Sequence, residues 1–349
     1  MKVKVGIVGT GSTVGIAHFH AEGLKKDKRA EITAVYNLNE KTAAAFSNAH
    51  GLTATICRTY SELLELVDAV VICTPNYAHI DYVVGAILNG KAVFVEKPLA
   101  VDYEECRKAL SALENNKVFN MVGFVYRFSN HAVAVKKLVS EKIGKIYTIT
   151  VSYGGTRLAN PMVPLEWRME KELSGSGSLG DFGSHLIDLL SFTCGLKVKH
   201  ISCQTNTFIK VRPSNSNGKT IVENDDAAVF AVTGENGEIC SVLTSRVGMD
   251  NINLCIAGEG GLLRADFSEG NMLFMPKAIN GAYTGTKEYI DISFQKQFSE
   301  LFETQMECFI NGVLGQEVSI CTIEEGAYNE KILSLAEESS HEMIIKTIS

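Results

Sequence analysis

No Cys-x-x-Cys pair, no basic run longer than a couple of residues and no apolar stretch approaching the ~18 residues of a membrane span occurs in this chain. Each absence excludes a class. The nine cysteines (57, 73, 106, 194, 203, 240, 255, 308 and 321) are odd in number and scattered, which argues against a disulfide framework and for reduced thiols in a cytoplasmic setting. The eight histidines are equally dispersed and show no metal-ligand spacing, so no metal is expected. A formal net charge of −7 would repel a phosphate backbone, so nucleic acid is an unsuitable partner. The opening residues Met1-Lys2-Val3-Lys4-Val5 run straight into strand-like sequence and do not read as an export signal. A length of 349 residues exceeds one typical core and predicts two domains, placed here at 1–125 and 126–349.

What is present centres on Val93-Phe94-Val95-Glu96-Lys97-Pro98. Three apolar residues read as a strand buried on both faces, stopping at a charged pair locked by proline. In an open parallel sheet, ligands bind beyond the carboxyl ends of the strands, where Lys97 is placed. Upstream, the apolar run Val3 to Val8 leads into Gly9-Thr10-Gly11-Ser12-Thr13-Val14-Gly15, followed by helical spacing at Ile16, Phe19, His20 and Leu24. Strand, glycine loop and helix together are the context of a dinucleotide site. Gly9 permits the turn, Gly11 admits a pyrophosphate, and the helix start offers unpaired N–H groups. The loop is one residue longer than the usual version. After the strand Ile32 to Val35, Asn37 stands about where an acidic residue would grip a ribose hydroxyl; with no arginine close behind, NAD is expected and NADP is the alternative. Ala69 to Cys73 and Val118 to Val122 supply further strands, alternating with helices, and predict a doubly wound parallel sheet.

Beyond about residue 125 the pattern changes to short strands: Tyr147 to Ser152, Ile201 to Ile209, Ala227 to Thr233, Ile239 to Ser245, Ile252 to Ala257 and Leu262 to Phe267. Tight turns at Glu235-Asn236-Gly237 and Gly258-Glu259-Gly260-Gly261 make neighbours antiparallel, so the second domain reads as an α+β unit with a large, mostly antiparallel open sheet. One face of that sheet, with Val229, Ala231 and Val242 or their neighbours, would need a cover, which predicts a homodimer or homotetramer. Arg212 to Gly218 reads as an exposed polar loop. Between the strands lies Gly175 to Asp188, where Asp181 and His185 stand four apart and would share one helical face, as a histidine held by a carboxylate for acid/base work does.

Together these segments, with Cys73-Thr74-Pro75-Asn76 and His79, Gly90-Lys91, Tyr126-Arg127-Phe128, Trp167-Arg168 and Asp225-Asp226-Ala227, resemble the glucose-fructose oxidoreductase/inositol dehydrogenase/rhizopine-catabolism (Gfo/Idh/MocA) family over nearly the whole chain. The resemblance implies that Lys97, Asp181 and His185 form the catalytic group. It implies that Thr74, Pro75, Asn76, Glu96 and Arg127 line the cofactor site beside Gly9, Gly11, Ser12, Thr13 and Asn37. The reaction it implies is hydride transfer between a nicotinamide and a secondary alcohol of a sugar, inositol or related polyol. Tyr153, Arg157, Trp167, Arg168 and Tyr283 would then suit a polyhydroxy ring. Two other activities fit the same fold: glycoside cleavage through transient oxidation by NAD, and cofactor sensing without turnover.

Overall fold

The structure is a computed structural model describing residues 2–11, 15–214, 218–292 and 296–348. It divides into two compact units, Met1–Phe128 with Lys296–Glu330, and Ser129–Gln295 with Lys331–Ser349.

In the first unit, six strands run β1 (Val3–Val8), β2 (Ala30–Tyr36), β3 (Thr55–Cys57), β4 (Ala69–Ile72), β5 (Ala92–Val95) and β6 (Asn120–Val122). Their spatial order is β3-β2-β1-β4-β5-β6, with every pairing parallel. All residues of β4 and β5 are buried, as strands covered on both faces must be. The order reverses between β1 and β4, the switch point at which such sheets open a crevice. Helices α1 (Ile16–Lys26), α2 (Glu40–Ala49), α3 (Tyr60–Leu66), α4 (His79–Leu88) and α5 (Tyr103–Asn115) connect the strands. Asn39, Thr59 and Asp102 cap α2, α3 and α5 by accepting from backbone N–H groups of their first turns.

The second unit begins with α6 (Asn130–Leu138) and β7 (Ile146–Gly154), then the single-turn α7 (Lys171–Ser174), α8 (Ser184–Cys194) and β8 (Val198–Asn206). A small hairpin of β9 (Val211–Pro213) and β10 (Lys219–Ile221) precedes β11 (Ala227–Gly234), β12 (Ile239–Ser245), β13 (Asn253–Gly258), β14 (Gly261–Asp266), β15 (Asn271–Pro276) and β16 (Glu288–Asp291). Helices α9 (Phe298–Val313) and α10 (Ile323–Glu342) follow, and β17 (Lys346–Thr347) ends the described chain. The nine-stranded sheet has the order β16-β15-β14-β13-β7-β12-β11-β8-β17. Only its β7–β12 pairing is parallel.

Three expectations need correction. Lys296–Glu330, assigned by sequence to the second domain, belongs to the first unit. Met306, Phe309 and Ile310 of α9 enter the core around β1, and the Phe309 ring lies 5.7 Å from that of Phe94. Secondly, Val242 does not share a face with Val229: it is buried, and the residue opposite Val229 is Leu243. Because strand side chains alternate with period two, the open face carries Val229, Ala231, Ile239 and Leu243. Finally, Arg212 is not exposed. It is 1% accessible and donates to the carbonyl oxygens of Asn160 (2.9 Å) and Leu158, tying down the 158–163 loop.

Candidate functional site

The carboxyl edge of the first unit's sheet is built for close approach. Gly9 has φ +86°, and a Cβ there would lie 2.6 Å from the Thr74 backbone nitrogen, so only glycine lets the β1 and β4 ends meet. Thr10 N–H donates to Asn37 Oδ1 at 3.2 Å, and Asn37 Nδ2 donates to the Asn39 carbonyl, joining the loop to the start of α2. Thus the Asn37 amide already has a structural task. At the same edge, the Thr10 and Thr74 hydroxyls are buried and find no hydrogen-bond partner among the described residues. Two orphaned hydroxyls beside a glycine approach fit a ligand rich in oxygen. Helix α1 opens at Gly15 (φ 67°) with no side-chain cap and no acidic residue in its first turn, leaving its N–H groups and dipole for an anion. Among the described residues, nothing lies within 4 Å of where a Cβ on Gly11 would sit. These residues fit the pyrophosphate and ribose of a dinucleotide; Ser12 and Thr13 lie outside the described residues.

Next to this edge, β5 delivers Glu96 and Lys97. Glu96 is 7% exposed and Lys97 is half-buried. His20, fully buried on α1, meets Glu96 Oε1 through Nε2 at 2.5 Å, while Glu96 Oε2 accepts from Lys97 N–H at 3.3 Å. On the other side, the buried His79 contacts the Pro98 carbonyl at 2.9 Å and that of Thr74 at 2.8 Å, and burial holds its pKa below the usual histidine value. Asn76 is buried in the short turn after Pro75. Arg127 is 7% exposed; it donates to the Ile320 carbonyl at 2.5 Å and pairs with Glu325 at 3.0 Å, so part of its task is to anchor the segment before α10. His20 was visible in the sequence only as one more residue on the apolar face of α1. The signal that could have found it is the buried Glu96, a carboxylate that requires a donor.

In the second unit, Asp181 lies in a π-helical turn, Leu179–Gly183, and His185 lies 8% exposed in the following α-helix. The widened turn replaces the regular four-residue spacing read from sequence, a type of bulge frequent at functional sites. His185 stands 6.0 Å from the ring of Tyr153, which packs edge-on to Phe182 at 4.8 Å. Arg157 forms a two-pronged ion pair with Glu166, and its pKa is raised by Glu166 first and by the Asp181 charge last. Arg168 stacks its guanidinium 4.1 Å from the centre of the Trp167 ring. Tyr283 does not join this group. It sits with Lys277 and Tyr147 at the start of β7, whereas Tyr153 is near its end, about 20 Å away at ~3.3 Å per residue.

Sequence reasoning assigned no role to the carboxylates that hold these segments. Asp225 accepts from Gly177 N–H (2.7 Å) and Leu179 N–H (2.9 Å), fixing the entry to the π-turn, and burial pushes its pKa up against those bonds. Asp226 accepts from Phe208 N–H, Ile209 N–H and Arg246 Nε. Arg246 in turn donates to the Arg168 and Asn224 carbonyls. Among the described residues no cluster of three or more His, Cys, Asp or Glu could hold a metal ion, and no helix is long and apolar enough to cross a membrane.

Comparison with known proteins agrees with this layout. The chain is 28% identical over 247 residues to glucose-6-phosphate 3-dehydrogenase of Bacillus subtilis, covering 70% of this chain and 67% of that protein. It is 32% identical over 189 residues to levoglucosan dehydrogenase of Pseudarthrobacter phenanthrenivorans, covering 50% of this chain and 48% of that one. Inositol 2-dehydrogenase of Rhizobium meliloti is 33% identical over 153 residues, 44% of this chain and 45% of its own length, so these last two matches span about half of each relative. A structure of levoglucosan dehydrogenase with NADH shares the fold over 100% of both chains, with TM-score 0.90 at 22% identity. Residues 3–124 match the family model of the NAD-binding Rossmann fold of an oxidoreductase family, and residues 131–264 match the C-terminal domain of the same family. With both parts matched in order over most of its length, the chain belongs to the Gfo/Idh/MocA family of oxidoreductases.

Proposed function

We propose that the protein oxidises a secondary alcohol of a sugar, inositol or related polyol, with NAD as hydride acceptor and NADP as a poorer substitute. The observation that carries this reading is Lys97, half-buried at the end of β5, on the same sheet edge where β1 and β4 end in a glycine approach and two hydroxyls that find no partner among the described residues. When bound, the nicotinamide supplies the hydride chemistry. The chain's own residues must then remove a proton from the alcohol and steady its oxygen as charge develops. His185 suits the first task by its intrinsic pKa, Lys97 suits the second as a cationic donor, and Asp181 orients or balances them. The reverse assignment, with Lys97 as proton acceptor and His185 orienting the substrate, uses the same residues. Gly9, Gly11, Asn37, Thr74, Pro75, Asn76, Glu96 and Arg127 are assigned to the cofactor, and Tyr153, Arg157, Trp167 and Arg168 to the substrate.

Arg157 by itself does not call for an anionic substrate. Arg157 faces two carboxylates, Glu166 and Asp181, so it offers an anionic substrate no net positive charge. The relatives named above act on both kinds, a sugar phosphate and neutral polyols. We further assign the open sheet face, where Ile239 is 60% exposed, Val229 44% and Leu243 42%, to a homodimer or homotetramer contact. The nine free cysteines support a cytoplasmic setting.

The test is a panel of inositols, aldoses, sugar acids and sugar phosphates, read by NADH absorbance. An uncharged polyol is expected to respond. Release of a free sugar without net NADH would favour glycoside cleavage, and NAD binding with no turnover of any panel member would favour a cofactor sensor.

A further inference from the structure

We infer that His20 is a positioning residue for Lys97, acting through the Glu96 carboxylate; this rests on the proposal that Lys97 carries the chemistry. The starting point is an imbalance. Glu96 is 7% exposed and its nearest charged neighbour along the chain is Lys97, whose backbone N–H, not its ammonium, reaches Oε2. The other oxygen is met by His20 Nε2 at 2.5 Å. His20 Nδ1 is buried and has no partner. That orphan decides the tautomer. Were the ring to carry a proton on Nδ1, a buried donor would go unmet, which costs more than an unmet lone pair on an acceptor nitrogen. The ring therefore carries its proton on Nε2 and donates it to the Glu96 carboxyl group.

A histidine that only filled space would not need to meet a carboxylate, whereas this one supplies the donor that the buried Glu96 requires. The His20 ring packs edge-on to Phe94 at 4.8 Å and Phe302 at 5.2 Å. The arrangement keeps a polar group there and leaves one of its nitrogens unmet. Its consequence is that α1 holds the side chain of the residue immediately before Lys97. From the opposite side, α4 holds the carbonyl of the residue immediately after it, through His79. Lys97 is thus bracketed on both sides by buried imidazoles, which restrains its backbone while its side chain stays half-buried. Such restraint matters because a misplacement of about 1 Å in a reacting group can cost about a hundredfold in rate.

Three variants of the full chain separate positioning from packing. His20→Gln keeps a donor near the Nε2 position; His20→Leu removes it and suits the aromatic neighbours; the double variant His20→Leu with Glu96→Met also removes the stranded carboxylate and keeps the fold if the single variant loses it. With NAD and the responding polyol, His20→Leu is expected to lose about thirtyfold in kcat with the NAD KM within about threefold, the double variant to lose at least as much in kcat, and His20→Gln to stay within about threefold of the parent kcat. A second readout needs no substrate. The acetylation rate of Lys97 relative to the exposed Lys28, measured by peptide mass spectrometry, should rise at least about threefold in His20→Leu and the double variant, and not in His20→Gln. Equal losses in the Gln and Leu variants that track their melting temperatures would reduce His20 to a packing residue and overturn the inference. So would unchanged turnover and acetylation in His20→Leu while Lys97→Ala is inactive. If Lys97→Ala stays active, the catalytic reading fails, and the acetylation ratio alone then decides whether His20 restrains Lys97.

Discussion

The two units hold their functional segments by opposite chemistry. In the first, imidazoles do the holding: His20 grips a carboxylate, and His79 stands between two carbonyls and donates its N–H to one of them, both from helices laid on a parallel sheet. In the second, carboxylates do it: Asp225 and Asp226 collect backbone N–H groups and one arginine. The difference follows from topology. A parallel sheet brings its strand ends to one edge by construction, so the first unit need only restrain residues already in place. The second unit's residues sit on a π-turn and on long connections between antiparallel strands, whose backbone donors are not consumed by a ladder and must find acceptors.

The sharpest way to break this comparison is at the residue proposed to react. Lys97→Ala should lower kcat by about a thousandfold while NAD affinity, followed by nicotinamide fluorescence, changes only a few-fold. Near-normal turnover would remove Lys97 from its role. On the other side, Asp226→Ala strips the partner from a fully buried Arg246 and should cost about 3–5 kcal/mol in the second unit. Trp167 is the only tryptophan and lies in that unit, so its fluorescence during urea unfolding reads the loss directly; a midpoint unmoved from the parent's would show that Arg246 finds other support.

A smaller effect concerns assembly. Leu243→Arg places a charge on the open face and is expected to shift sedimentation from a dimer or tetramer towards monomer; a parent protein already monomeric at micromolar concentration would count against the contact. Smaller again is cofactor choice. Asn37→Asp keeps an acceptor for Thr10 N–H and adds a charge that repels a 2′-phosphate, so the NADP KM should rise about tenfold with the NAD KM within a few-fold.

The smallest prediction contrasts the pH responses of the two holding devices. Burial lowers the folded pKa of His79 below 6.5, so its contribution to stability is present above 6.5 and is lost as pH falls through that value towards the lowered one. For Asp225 the sign is reversed: its pKa is raised above 3.8, so its contribution is greatest below 3.8 and declines as pH rises through the raised value. Hydrogen exchange followed by mass spectrometry between pH 4 and 7 (roughly the histidine range) should show acid loosening around α4, weaker in His79→Asn. The same slope in parent and variant would exclude His79 as its source.

Much of the first unit was legible because its central strands are near-continuous apolar runs ending in glycine, proline or a charge. The second unit was less so. Alternating strands announce themselves only when one face is plainly polar, and β15, with Asn271, Met272, Leu273, Phe274 and Met275, does not alternate clearly in sequence, nor does the short β16. Val242 was put on the wrong face because the phase of alternation is set by register with β11, which sequence alone does not fix. Helix α9 was misassigned because contiguity along the chain is a poor guide when a late helix returns to an early sheet. The placements that were readable were those with a backbone reason, such as Gly9 at a close strand approach and Lys97 at a strand end. His20, Asp225 and Arg212 act through burial, and nothing in a linear sequence marks a charged or polar residue as buried.

The lone parallel pairing in the second sheet has a consequence for how the protein is made. Strand β7 lies between β12 and β13, and Thr148 pairs with Ile239 about ninety positions later, so β7 must wait for distant partners while β11–β12 and β13–β14 can close as local hairpins. The two hairpin modules meet only through that early strand. During synthesis and refolding, the edges of β12 and β13 therefore stand open until β7 docks, and pulse-labelled hydrogen exchange should find the amides of β7 protected last in the second unit.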